Sequence, residues 1–142
     1  MITDFLIVGS GIAGLSLALK LSTIGKVLVV TKKKKAESNT NYAQGGIASV
    51  LADDDNFDLH IEDTMSCGGD LCHRHAVEKI VSEGPTRIYE LLDIGVKFTQ
   101  ENGRLTLGKE GGHTKSRIVH AKDLTGKEIE RALLHEISVN KN

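Results

Sequence analysis

A surplus of charge of either sign is missing from this sequence: 18 lysines and arginines stand against 19 aspartates and glutamates, a formal charge of −1. Without a basic excess there is no electrostatic case for nucleic acid or an anionic membrane as the main partner. A small ligand is the expectation. Long apolar runs are missing too. No segment approaches the roughly 20 residues that span a bilayer, and the N-terminus has no basic region leading into an apolar stretch with a small-residue cleavage site. A cytoplasmic protein is therefore expected. Cysteine is scarce: Cys67 and Cys72 lie in "CGGDLCHRH", followed by His73 and His75. A C-x4-C pair is wider than the spacing that usually opens a zinc site, and there is no second pair, so these read as reduced structural thiols and no metal is expected. Repeats and low-complexity linkers are also absent. What remains, 142 residues with 26% charged and 39% hydrophobic, is ordinary for one core-bearing globular domain.

"DFLIVG", Asp4 to Gly9, has the length and composition of a buried parallel strand, and glycines and a helical pattern follow at once. The helix expected over about Ile12 to Thr23 is apolar nearly all round, as for a helix covered on more than one side, and Gly25 stops it. "KVLVV", Lys26 to Val30, is a second strand, so residues 1–32 read as one βαβ unit. The run Lys32 to Lys35 marks a solvated turn. The polar, amide-rich stretch "SNTNYAQGGIASV" at residues 38–50 is too particular for a plain connection. Asp53 to Asp58 reads as a surface loop before a helix of about Leu59 to Ser66, and a helical region follows from about His75 to Asp93. Pro85 is expected to start a second helix there, because proline suits a first turn and breaks an interior. "VKFTQENGRLTL" is a hairpin about Asn102-Gly103, so residues 58–122 combine a helical insertion with a hairpin. Thr125 to Glu128 has the form of a capping box, opening a helix over residues 125–138 with Ile129, Ala132, Leu133 and Ile137 on one face. A doubly wound sheet needs more parallel strands than these, and a third is due near the end of the sequence. The expected fold class is α/β, the N-terminal portion of a Rossmann-like dinucleotide-binding domain.

Gly9-Ser10-Gly11-Ile12-Ala13-Gly14 is a G-x-G-x-x-G between strand and helix. Gly9 permits the tight turn, Gly11 removes the Cβ that would block a pyrophosphate, and Gly14 lets helix and strand approach, with the helix N-terminus facing the diphosphate. The hexapeptide alone is weak, but its place between strand and helix raises it to a dinucleotide site. It does not decide between FAD and NAD. The acidic residue that usually bonds the adenosine ribose after the second strand is missing: Thr31-Lys32 stand there, and the first acid is Glu37. Either backbone and the Lys32 region hold the ribose, or the nucleotide reading fails.

Three separated stretches in order, "VGSGIAGLSLAL", "SNTNYAQGGIA" and "EGGHTKSRIVHAKDLTGKEI", with "HIEDTMSCGGDLCHRHAVE" between them, resemble the succinate dehydrogenase and fumarate reductase flavoprotein family, on its L-aspartate oxidase branch. The resemblance runs over the whole chain and matches only the N-terminal part of those long proteins. It implies FAD as the cofactor, bound through the glycine motif, Lys32, and the segment Asn39, Thr40, Asn41, Tyr42, Ala43, Gln44, Gly45 and Gly46, which in such proteins wraps the flavin end. Succinate dehydrogenases and bacterial fumarate reductases have "SHT" where this chain has Ser38-Asn39-Thr40, and their histidine bonds covalently to the flavin. Asn39 implies non-covalent FAD, the alternative being an asparagine tolerated in a polar loop. Where the dehydrogenase branch tends to have an aromatic residue, this chain has Glu110. A carboxylate there favours the ammonium group by which aspartate differs from succinate, so the resemblance makes Glu110 the residue that orients L-aspartate, against an exposed salt-bridging glutamate. His113 and His120 are read as packing and hydrogen-bonding residues. The implied activity is oxidation of L-aspartate to iminoaspartate with hydride transfer to flavin N5 and reoxidation by oxygen or fumarate. It belongs to de novo NAD biosynthesis, with quinolinate synthase as the downstream partner. The family's proton-transferring arginine has no counterpart here, so no catalytic residue is assigned within the chain, and the chain by itself is expected to be inactive. The alternatives are a succinate dehydrogenase or fumarate reductase flavoprotein subunit, and a non-catalytic nucleotide-binding fragment.

Overall fold

The computed structural model describes residues 2–32, 37–122 and 124–142. They form two compact units, one of residues 1–45, 94–97 and 123–142, the other of residues 46–93 and 98–122. Of the expected lysine turn, Lys33 to Lys35 lie outside the described residues.

The first unit is built on a parallel pair, β1 (Phe5–Val8) and β2 (Val27–Val30), in the register Phe5 with Val27 to Val8 with Val30. The connecting helix α1 (Ile12–Leu21) crosses between them and buries Leu15 and Ala18. It ends two residues earlier than the apolar pattern indicates. Ser22 takes the C-cap position, its N–H bonding the Ala18 carbonyl at 2.9 Å, and Ile24 and Gly25 tighten the turn through the Leu21 carbonyl. The helix α2 (Asn39–Tyr42) is a single turn, capped by the Ser38 side chain accepting from the Asn41 N–H. The stretch read as a wrapping loop thus contains a helical turn, because a serine three residues ahead of a free N–H supplies a cap. Helix α5 (Thr125–Val139) closes the unit and packs against both α1 and α2. Beyond it the chain returns to the free edge of β2, where the Val27 N–H donates to the Asn142 carbonyl at 2.8 Å.

The capping box at residues 125–128 does not form as the sequence indicates. Thr125 is the first helical residue, and Leu124 ahead of it offers no capping side chain. The Glu128 carboxylate accepts from the Lys97 N–H and the Arg131 guanidinium at 2.7–2.8 Å instead, and these donors hold its pKa below the usual carboxylate value.

The second unit contains a three-stranded antiparallel sheet in the order β3 (Ile47–Ala48), β7 (Ile118–Val119), β6 (Leu107–Gly108). A separate hairpin pairs β4 (Gln100–Glu101) with β5 (Arg104–Leu105). Its turn residues Asn102 and Gly103 have φ of 50° and 76°, both in the left-handed region that a two-residue type I′ turn requires. Helix α3 (Phe57–Gly68) is capped by Asn56, whose side chain accepts from the Leu59 N–H. A 3₁₀ turn, Gly69–Leu71, leads on toward α4 (Arg74–Asp93). Ile61, Val77 and Val81 form the core between α3 and α4, with Val50, Met65 and Cys72 against it.

Helix α4 runs without a break through Pro85, contrary to the expectation of a new helix there. A side chain on the preceding residue normally clashes with the proline ring in helical geometry. Gly84 has none, and its bare Cα faces Ser49, whose Oγ would lie 3.1 Å from an added Cβ. The costs that remain are one missing backbone donor and the crowding of the proline ring against the carbonyl four residues earlier.

Candidate cofactor-binding site

Gly9 follows β1 with φ of 114°, a conformation that L side chains rarely adopt. Its N–H bonds the Val30 carbonyl at 2.8 Å, which fastens the turn to β2. Gly14 sits where a Cβ would drive into the Gly9 carbonyl, so the third glycine of the motif is required by close approach of helix and turn, and the first by its positive φ. Ser10 is buried and its Oγ donates to Thr31 Oγ1 at 3.0 Å, tying the loop to the end of β2. Gly11 is the N-cap of α1, and no side chain caps that helix from this position. Beside it lies only the Thr40 hydroxyl, 3.6 Å from where a Cβ would stand. The positive end of the helix dipole and the backbone N–H groups of its first turn lie beside a residue with no side chain of its own, as binding of a diphosphate requires.

The segment 38–45 lies in the same unit. Thr40 Oγ1 accepts from the Ile12 N–H at 3.0 Å, joining α2 directly to the glycine motif. Asn39, Tyr42, Ala43, Gln44 and Gly45 are exposed, Asn41 is half-buried, and nothing lies within 4 Å of a Cβ built on Gly45. Helix α5 is the bed beneath: the Gly126 N–H donates to the Ala43 carbonyl at 3.1 Å, and a side chain at Gly126 would collide with the Thr40 carbonyl. One turn further along α5, the buried Glu130 accepts from Ser38 Oγ at 2.6 Å. Lys32 directly follows β2 and is exposed. Gly46 belongs to the other unit and has a packing reason of its own, since a Cβ there would strike Ile118 and the Val119 carbonyl.

The second unit holds the remaining candidate, Glu110. It is exposed in the loop after β6, and its carbonyl accepts from the His113 N–H at 3.3 Å. The loop is anchored to α3 through Asp63, whose Oδ2 accepts from both the Thr114 N–H and the Thr114 hydroxyl at 2.8–2.9 Å. The same carboxylate takes Arg117 Nη1 at 2.7 Å, while Asp55 grips Arg117 through both oxygens at 2.7 and 2.8 Å. Arg117 and the Asp55 side chain are fully buried. The expected surface loop over Asp53 to Asp58 therefore conceals one interior carboxylate, made tolerable by a bidentate guanidinium partner. Burial raises the Asp63 pKa, but the bonds from Thr114 and Arg117 outweigh it and leave the group below its ordinary value.

His60 and His113 meet edge to face with ring centroids 5.7 Å apart. Desolvation, with the Arg117 charge and His113, pushes the His60 pKa down. Both rings line a cavity of about 540 Å³ that also reaches Cys67, Cys72 and Ile80. The two thiols are free: Cys67 Sγ contacts the Gly112 carbonyl at 3.6 Å and Cys72 Sγ the Thr64 carbonyl at 3.7 Å. Among the described residues no group of three or more His, Cys, Asp or Glu side chains is placed to hold a metal ion.

Sequence reasoning overlooked Glu130, Asp55, Asp63 and Arg117. A signal existed for two of them. Glu130 lies four residues after Gly126 and three before Leu133, inside the stripe that α5 buries, and Arg117 alternates with the buried Val119 and Ala121.

The family model described as FAD binding domain matches residues 4–141. A chloroplastic L-aspartate oxidase of Oryza sativa subsp. japonica is 48% identical over 140 residues, covering 98% of this chain and 22% of the relative. The L-aspartate oxidase of Yersinia pestis is 46% identical over 146 residues, covering 99% and 27%. Among solved structures, a mutant E. coli quinol fumarate reductase superposes with a TM-score of 0.91 at 29% identity over 98% of this chain and 24% of that one. Mycobacterium smegmatis Sdh1 does so with 0.89 at 33% identity over 95% and 23%. The chain spans about a quarter of the length of the curated relatives it matches.

Proposed function

This chain belongs to the FAD binding domain family, and from that premise we propose that it is the N-terminal, cofactor-holding part of an L-aspartate oxidase. FAD, the cofactor of the family, supplies a two-electron acceptor when bound. The chain's own residues hold it. The N–H groups of the first turn of α1 beyond Ile12, whose own N–H is held by Thr40, take the diphosphate beside the bare Cα of Gly11. Lys32 and the backbone near it take the ribose side, in place of the acidic residue that is missing. Asn39 to Gly46 flank the flavin end, where amides and hydroxyls offer hydrogen bonds. The observation that carries this reading is the bond from the Ile12 N–H to Thr40 Oγ1, which makes the glycine motif and the polar segment one continuous site.

In the proposed enzyme the flavin is not covalently attached, because the Asn39 carboxamide has no nucleophilic ring nitrogen. Glu110 receives the substrate ammonium group through a charge-assisted hydrogen bond, which selects L-aspartate over succinate. Support for the substrate comes from the 46–48% identity, over nearly the whole chain, to relatives named L-aspartate oxidase. Iminoaspartate would then pass to quinolinate synthase in de novo NAD biosynthesis, with oxygen or fumarate accepting the electrons. The proposed compartment is the cytoplasm, in keeping with two free thiols. No helix among the described residues is long and apolar enough to cross a membrane.

The superposition on fumarate reductase and Sdh1 favours one competing reading, a flavoprotein subunit acting on a dicarboxylate without an amine. Acid precipitation of the holoenzyme separates the two. Yellow FAD in the supernatant, with turnover of L-aspartate and not succinate, is the expected result. Flavin retained in the pellet, or preferential turnover of succinate, would overturn the proposal.

A further inference from the structure

Glu130 is 1% exposed, and among the described residues of the unit that carries the glycine motif it is the most deeply buried acidic residue. It lies 92 residues from Ser38, whose Oγ donates to its Oε1 at 2.6 Å. The other oxygen, Oε2, is buried with no hydrogen-bond partner among the described residues. A half-satisfied buried carboxylate is costly to a fold, and an apolar side chain of similar volume would fill the same space at lower cost. Stability alone does not account for a glutamate here.

Its bond to Ser38 leads to the cofactor site. Ser38 Oγ also accepts from the Asn41 N–H at 3.3 Å and so caps α2. With Ser38 Oγ donating to Glu130, the hydroxyl proton is fixed and the oxygen lone pairs are turned toward the α2 amide. Within that turn Thr40 accepts from the Ile12 N–H at the start of α1. One turn earlier on α5, Gly126 bonds the Ala43 carbonyl and leaves no room for a side chain below Thr40. The polar segment is therefore held to α5 at two levels. One is a backbone contact at Gly126 and the other a buried side-chain contact at Glu130.

We propose that Glu130 is a positioning residue for FAD. It acts through Ser38 to set the orientation of the turn Asn39 to Tyr42, and through Thr40 the alignment of that turn with the diphosphate loop. It does not itself touch the cofactor, and the inference stands whichever substrate the enzyme oxidises.

Stability and cofactor binding separate this role from a structural one. In the holoenzyme and its apo form, Glu130→Leu preserves volume and burial while removing the acceptor for Ser38. The apo melting temperature should stay level or rise. The FAD dissociation constant, followed by flavin fluorescence on titration, should rise about tenfold, with a shift in the visible absorption of the bound flavin. Glu130→Gln keeps an oxygen for Ser38 and should hold the dissociation constant within about threefold. Ser38→Ala should reproduce Glu130→Leu, and the double variant should be no worse than either single change, as expected for groups acting through one bond. A wild-type dissociation constant and spectrum in Glu130→Leu would overturn the proposal, and so would full additivity with Ser38→Ala. If Glu130→Leu does not fold, Ser38→Ala decides: unchanged FAD binding in that variant refutes the role.

Discussion

Replacing Arg117 with methionine leaves Asp55 and Asp63 facing each other without the cation that joins them. The Asp55 side chain is wholly buried and that of Asp63 is 10% exposed, so water cannot take the place of the guanidinium. Three contacts disappear, two to Asp55 and one to Asp63, at 2.7–2.8 Å. Stranding one partner of a buried pair costs about 3–5 kcal/mol, a fifth or more of the roughly 5–15 kcal/mol that holds a typical domain together. Urea denaturation of the purified protein at pH 7 should show a loss of that size. The triple change Arg117→Met, Asp55→Asn, Asp63→Asn, which removes the charges together, should recover much of it, because whole buried ion pairs are often replaceable at little cost. The pH dependence gives a second signature. Asp63 has a folded-state pKa below its ordinary 3.8, so its stabilisation is present above that value and is lost as pH falls through the lower folded value. Arg117→Met removes the guanidinium's share of that gain while Asp63 keeps its bonds from Thr114, so acidification toward pH 4 and below should cost the variant less stability than it costs the parent. A loss below about 1 kcal/mol in Arg117→Met, at the level of exposed ion pairs, would refute this view of the cluster.

Gly14→Ala places a methyl group into the Gly9 carbonyl; it should abolish FAD retention on gel filtration, and a variant that still elutes yellow would contradict the role of close approach. His60 has a folded pKa below its ordinary 6.5, so the unfolded state binds a proton first and stability should decline as pH falls below about 6.5. Chemical denaturation at pH 7.5 and 5.5 should show that decline in the parent and a smaller one in His60→Leu; identical declines would remove His60 from the account. Glu110→Gln should weaken L-aspartate turnover by roughly 10- to 100-fold in kcat/KM, the scale of a lost charge-assisted hydrogen bond. A change of less than about twofold would leave Glu110 as an exposed acid with no part in recognition.

The parallel βαβ unit was legible because its signals are local. A short β-branched run, three glycines at fixed offsets and an apolar helix leave few alternatives, and the turn at Asn102-Gly103 is equally explicit. Misjudged elements are those in which a neighbour changes the outcome. Pro85 stays within α4 because of Gly84, and Glu128 is drawn from its capping role by Lys97 and Arg131. In the site, the glycine motif could be read directly and Thr40 lay within the segment singled out. The buried polar anchors could not be paired from sequence, since Arg117 finds Asp55 62 residues away and Glu130 finds Ser38 at 92. No local pattern encodes a partner at that distance.

The reach from Ser38 to Glu130 also imposes an order on synthesis. A ribosome finishes the glycine motif and the polar segment long before it makes α5, so the early product carries the proposed flavin site with its floor yet to be translated. Closing so long a loop is slow relative to local helix and hairpin formation. The nascent site should therefore stay open until the last of these residues emerges, and supply of the vitamin-derived cofactor during translation would matter only from that moment on.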